Sequence, residues 1–202
     1  MVVILAIDIG IRNLSICEIM YTDSKYQIRR WKLYDLVHQF PHIKSVQKIT
    51  ANDYHLLVEF FFNDIYSRSR LKTTINHVVI ETQPAGRHLN MKMHLLSHYL
   101  YDNIVKLRNS STYGHQLYSV NFVSGHCKYY KPWLIKFGEA KQSNYVKRKQ
   151  LSVRLCAKWC QIYGLTQLWK SFQHTKKQDD LADSFLLGLY FVQLNYGVLN
   201  PS

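Results

Sequence analysis

Apolar positions recur along this chain in two rhythms, one of strand type and one of helix type. Residues 2–9, Val2-Val3-Ile4-Leu5-Ala6-Ile7-Asp8-Ile9, form an apolar run interrupted by one acid and bounded by Gly10, which predicts a buried strand. Residues 14–21 and 26–34 predict two antiparallel strands, with Thr22-Asp23-Ser24-Lys25 as the turn. The span 35–50, with Pro41, is polar and irregular. From Asn52 to Arg70, Leu56, Leu57, Phe60, Phe61 and Ile65 fall at helical spacing, and Asn52 or Asp53 supplies the cap. A strand at 77–82 is stopped by Pro84 and Gly86, a helix runs from Leu89 to Leu107, and a strand follows at 116–123. Gly125, Pro132 and Gly138 mark 124–144 as a long loop, and helices follow near 146–163 and 179–196. No repeat or linker interrupts the pattern, so residues 1–202 are expected to form a single domain.

Three meandering strands followed by alternating helix and strand predict an α/β protein, a mixed five-stranded sheet flanked by helices. The order resembles the ribonuclease H-like fold. By that analogy the first strand is central and the strand after the first helix lies beside it. Asp8 and Glu81, 73 positions apart in sequence, would then meet.

Charge sharpens this picture. The chain carries 26 Lys and Arg against 13 Asp and Glu, a net +13, which favours a polyanionic partner. Residues 125–178 hold 12 of the basic residues and only one acid, Glu139, whereas 179–202 hold three acids and no base. The basic excess lies immediately before the last acidic cluster, as a surface that follows phosphates and feeds them to acids would require. No apolar run approaches the roughly 20 residues that span a bilayer, and Met1 to Ile7 lacks the basic n-region of a signal peptide. Four cysteines without framework spacing suit a reducing, intracellular setting.

The acids sit where acids are costly. Asp8 interrupts a buried strand, Glu81 follows His77-Val78-Val79-Ile80, and Asp180 and Asp183 open an apolar helix at i, i+3 spacing, which places both on one helical face. Asp179 points elsewhere and reads as a cap. Acids in a first helical turn also complement the helix dipole, but four acids on three elements in so basic a chain suggest a cage for hard divalent cations. Such ions take carboxylate oxygens and leave positions open for phosphate and water. Lys147-Arg148-Lys149 opens the preceding helix, and Lys149, with Lys147 second, is the candidate for stabilising transition-state charge. Lys128, Lys131, Lys136 and Lys141, interleaved with Tyr129, Tyr130, Trp133 and Tyr145, suit phosphate contact and stacking, with about half the aromatics in the core. His94 and His98, like Cys156 and Cys160, lie one helical turn apart, but two ligands do not complete a zinc site. Walker, nucleophile-elbow and dinucleotide motifs are absent.

Taken together, Ala6-Ile7-Asp8-Ile9-Gly10-Ile11-Arg12-Asn13, Ile80-Glu81-Thr82-Gln83-Pro84, Lys147-Arg148-Lys149-Gln150 and Lys176-Lys177-Gln178-Asp179-Asp180-Leu181-Ala182-Asp183 resemble the poxvirus-type Holliday junction resolvases, relatives of RuvC. The resemblance implies a metal-dependent endonuclease that resolves four-way DNA junctions by paired cleavage and processes viral replication concatemers. It implies Mg2+ or Mn2+, two per active site, held by Asp8, Glu81, Asp180 and Asp183, with Lys149 assisting and Lys128, Lys131, Lys136, Lys141, Lys147 and Arg148 on DNA. It also implies a homodimer, expected to pair through the 89–107 helix with Met91, Leu95, Leu96 and Tyr99, and a place where viral DNA replicates, the cytoplasm for a poxvirus. Two other readings compete: a ribonuclease H-like nuclease for RNA–DNA hybrids or flaps, and a basic DNA-binding module without catalysis. The second leaves the acids unexplained, since bare carboxylates repel DNA.

Overall fold

Strands Val2–Asp8 (β1), Leu14–Thr22 (β2), Lys25–Tyr34 (β3), His77–Thr82 (β4) and Ser119–Ser124 (β5) pair in the order β3-β2-β1-β4-β5 in the computed structural model. The structure describes residues 1–23, 25–67, 75–83, 90–109 and 117–197. The expected turn residue Ser24, the helix end at Arg70, the terminators Pro84 and Gly86, the helix start at Leu89 and the strand start at 116 lie outside them. β1 pairs antiparallel with β2 and parallel with β4, and β4 pairs parallel with β5. The central place expected for β1 is found, with β4 beside it.

The period-2 alternation of a strand then decides where the acids point. Ile4 and Ala6 of β1, with Cys17 and Ile19 of β2 and Val79 of β4, face one layer. Leu5 and Ile7, with Ile16, Val78 and Ile80, face the other. Asp8 shares parity with Ala6, and Glu81 with Val79. The register Ile7↔Ile80 ends the two strands side by side, so both acids emerge on the first face.

That face is covered by helices Lys131–Phe137 (α3), Tyr145–Ile162 (α4), Thr166–Lys170 (α5) and Gln178–Tyr196 (α6). Helices Ala51–Ser67 (α1) and Met91–Asn109 (α2) cover the other. α6 approaches unusually near: a Cβ on Gly188 would come 2.8 Å from Ile19 Cδ1 and 3.0 Å from Ala6 Cβ. Its seat is fixed by Trp31, whose indole donates to the Leu181 carbonyl at 2.9 Å, and by the Ser15–Ser184 hydroxyl pair at 2.6 Å. Close approach of α6 delivers its first turn to the ends of β1 and β4.

Four sequence expectations are corrected. The 124–144 loop contains a 3-10 turn at Gly125–Tyr129 and the helix α3, whose ends are Pro132 in the first turn and left-handed Gly138 as C-cap. Those breakers were helix boundaries, and Trp133 and Leu134 between them are core. α5 was not anticipated. Thr50, not Asn52 or Asp53, caps α1: its amide donates to Asp53 at 2.7 Å, and Asp53's amide reaches back to the Thr50 hydroxyl at 3.4 Å. On α2, Leu96 is fully buried and Tyr99 stacks on Tyr54 at 5.6 Å, so both serve this chain's own core. Met91, Leu95, Tyr101 and Phe122, and Leu56 on α1, are among the apolar side chains exposed on that layer.

Candidate active site

Asp8, Glu81 and Asp183 converge on a single ammonium group, and it belongs to Lys128. Lys128 Nζ lies 3.0 Å from Asp8 Oδ1, 3.1 Å from Glu81 Oε1 and 2.9 Å from Asp183 Oδ2. The residue is 4% exposed. Expected among surface phosphate contacts, it is instead at the centre of the acids. It arrives there because the 3-10 turn at Gly125–Tyr129 follows directly on β5, whose end lies beside β4 at the same edge of the sheet. Lys149 of α4 forms a second ion pair, with Asp179 and, at 3.2 Å, with Asp180. Asp179 is therefore an ion-pair partner; α6 begins after Lys177 with no side-chain cap.

Five carboxylates thus face two lysines, leaving a formal excess of three negative charges in one place. The electrostatics respond accordingly. Burial, aided by the neighbouring Glu81 charge, pushes the Asp8 carboxyl far above the usual carboxylate range, against the pull of Lys128. Burial likewise raises Asp183 despite Lys128, and raises Asp180 to about 6 despite Lys149. Burial alone would lower the Lys128 ammonium, but Asp183, Asp8 and Glu81 outweigh it and hold the proton firmly. Lys128 is a cation fixed by its surroundings.

The donors present suit a hard divalent ion. All are carboxylate oxygens, and the buried Asp180 Oδ2 has no hydrogen-bond partner. Asp183 Oδ1 also lacks a donor in bonding geometry, although the Ser152 hydroxyl lies near enough to favour its ionised form. Among the described residues, no three His, Cys, Asp or Glu side chains surround an open ion position, and the point where Asp8, Glu81 and Asp183 meet is filled by Lys128 Nζ. The Lys128 ammonium stands between them in that role. Asp8, Glu81, Asp180 and Asp183 are the residues that would hold an ion.

These groups line an open cleft of about 680 Å³ together with His126, Tyr129, Tyr145 and Arg148. Tyr145, 62% exposed, stands at its mouth with the Lys149 ammonium 5.4 Å from its ring. Lys131, Lys136, Lys141 and Lys147 are exposed, and Arg148 is half-buried at the cleft. Lys136 lies over the Trp159 ring at 5.4 Å. Of the aromatics expected to stack, Trp133 is buried, its indole donating to Gln193 at 2.7 Å, and Tyr129 and Tyr130 are half-buried.

Two glycines shape the site. Gly10 turns the chain after Asp8, where a Cβ would sit 2.7 Å from the Asn13 carbonyl oxygen. Gly125 touches the site itself: a Cβ there would lie 2.1 Å from Glu81 Oε1. Gly125→Ala is expected to displace the Glu81 carboxylate and slow cleavage by about 10²-fold, the usual consequence of misplacing a reacting group by about an ångström. The fold should survive, since the added methyl meets a movable side chain. Single-turnover rates with thermal melts check this; an unchanged rate would remove Gly125 from the site.

Sheet order, acid-bearing strand ends and α6 together give the mixed five-stranded α/β arrangement expected of a ribonuclease H-like fold. The resemblance to poxvirus-type resolvases is borne out by a family model described as Poxvirus A22 protein, which matches residues 126–196 and so includes Lys128, Lys149, Asp180 and Asp183. The yeast mitochondrial Holliday junction resolvase Ydc2 is similar in structure, with a TM-score of 0.66 at 22% identity over 94% of this chain and 78% of that one. Fowlpox virus resolvase in complex with Holliday junction DNA gives 0.57 at 16% identity over 95% and 97% of the two chains. Thermus thermophilus RuvC gives 0.55 at 15% identity over 96% of each. At these identities the likeness shows the fold. No curated protein matches the chain by sequence.

Proposed function

We propose that the chain is a structure-specific endonuclease that resolves four-way DNA junctions, acting as a metal-dependent homodimer with one site per subunit. The observation that carries this reading is the convergence of Asp8, Glu81 and Asp183 from three elements on one buried point in a strongly basic chain. The A22-type match and the likeness in fold to Holliday junction resolvases support branched DNA as the substrate over nucleic acid in general. Processing of replication concatemers in a reducing compartment fits that chemistry and the four free, buried cysteines. No helix among the described residues is long and apolar enough to cross a membrane.

Asp8, Glu81, Asp180 and Asp183 would hold one or two Mg2+ or Mn2+ ions, which supply Lewis-acid charge for in-line phosphodiester hydrolysis. The chain's own residues do the rest. Lys128 and Lys149 present ammonium groups to the cleft floor, where negative charge develops on the phosphate in the transition state. Lys131, Lys141, Lys147 and Arg148 track the flanking backbone, and Tyr145 offers a ring to a base or sugar unstacked at the branch. A junction has approximate two-fold symmetry, so a C2 dimer sets one such cleft against each of two opposing strands.

The substrate class is tested by competition. Synthetic four-way junctions, flaps and RNA–DNA hybrids are offered at equal concentration in Mg2+. The junction is expected to be cut first, with symmetrically placed nicks. Preferential cutting of the hybrid would replace this reading with a hybrid-directed nuclease.

A further inference from the structure

On the opposite layer from the cleft, α2 carries a pair of imidazoles that the nuclease chemistry does not use. His94 Nε2 and His98 Nε2 are 3.3 Å apart, with ring centroids at 4.8 Å. A hydrogen bond between them needs one ring to donate and the other to accept. The same spacing is also the edge of a tetrahedral site: two nitrogens each about 2.0–2.1 Å from a zinc-class ion stand about 3.3–3.4 Å apart. His94 Nδ1 is buried without a partner, and the His98 ring rests against Phe122 at 6.0 Å. The next residue on this strip, Asp102, is already paired with Lys106 at 2.6 Å. Among the described residues the ligand set on one chain therefore stops at two nitrogens, half of what a closed tetrahedral site takes.

What surrounds the pair says where the other half comes from. Leu95, Tyr101 and Phe122 beside it are exposed, and Met91 one turn away is 56% exposed. These apolar side chains belong to a face that gains by being covered, and a two-fold contact presents the same patch from both partners. We propose that His94 and His98 form half of a site for a borderline transition-metal ion such as Zn2+, Co2+ or Ni2+, completed by the same pair from a second copy of this chain. Imidazole nitrogens select this class over Mg2+, which prefers oxygen. The site is thus chemically separate from the carboxylate cluster, and it deepens the dimer part of the proposed function by giving that dimer a metal clasp.

Co2+ tests this on the whole chain without DNA, with Mg2+ in excess to occupy the carboxylates. Expected are half an equivalent of Co2+ per chain, the intense visible absorption of tetrahedral cobalt, and a shift of monomer to dimer in sedimentation at low protein concentration. The double variant His94→Gln/His98→Gln should lose all three while still cutting junctions in Mg2+ at high protein concentration. Binding of one Co2+ per chain without a change in mass, or an unchanged response in the double variant, would overturn the proposal. Because the readouts need neither DNA nor cleavage, loss of nuclease activity would count against the proposed function alone.

Discussion

Asp8→Asn is expected to lower junction cleavage by at least about 10²-fold while junction affinity holds or rises. The residue is 6% exposed, ends the central strand and touches the Lys128 ammonium. The substitution keeps its size and removes one formal negative charge from a cluster of five carboxylates, and carboxylates repel DNA phosphates. Binding by gel shift in Ca2+ or EDTA, set beside cleavage in Mg2+, separates the two effects. Near-normal cleavage by the variant would mean that the cluster is not the cutting site.

Lys128→Met is expected to have the largest effect on stability. It removes the cation from among Asp8, Glu81 and Asp183, and breaking a buried ion pair from one side costs about 3–5 kcal/mol. Mg2+ should restore much of that loss, because it replaces the missing charge, yet cleavage should stay low for want of the ammonium. The pH dependence has a definite sign. Burial raises Asp8 and Asp183, and raises Asp180 from the ordinary 3.8 to about 6. The folded chain therefore binds protons more tightly than the unfolded one across that window, and metal-free stability falls as pH rises through it. The defect of Lys128→Met should accordingly shrink towards about pH 5, where these carboxyls take up protons. Urea melts with and without Mg2+ at two pH values read all of this. A variant as stable as the parent at neutral pH without metal would show that the ammonium does not hold the acids.

The placing of the acids in the candidate site is legible in the sequence for a physical reason. Asp8 and Glu81 break or end runs of strand type, and strand parity with parallel pairing suffices to put them on one face. Asp180 and Asp183 are tied to the core by Leu181, Phe185 and Leu186, so their helix had to lie against the sheet. Lys128 is not legible as a buried cation, because its neighbours Tyr129, Tyr130 and Lys131 read as a basic, aromatic surface. The available signal was topological: Gly125 to Lys128 directly follows the strand beside β4, at the strand ends where Asp8 and Glu81 emerge. The same bias hid α3, since Pro132 and Gly138 mark helix ends as readily as loops. Leu96 and Tyr99 were assigned to a partner because helical spacing alone does not say which of two apolar stripes meets the sheet.

A supercoiled plasmid that extrudes a cruciform separates paired from independent cutting. Two cuts on opposing strands within one binding event give linear plasmid, whereas independent single cuts give nicked circles. In Mg2+ linear product is expected as the first species to appear, and none in EDTA or with Asp8→Asn. Accumulation of nicked circles ahead of linear product, or cleavage that persists in EDTA, would contradict it.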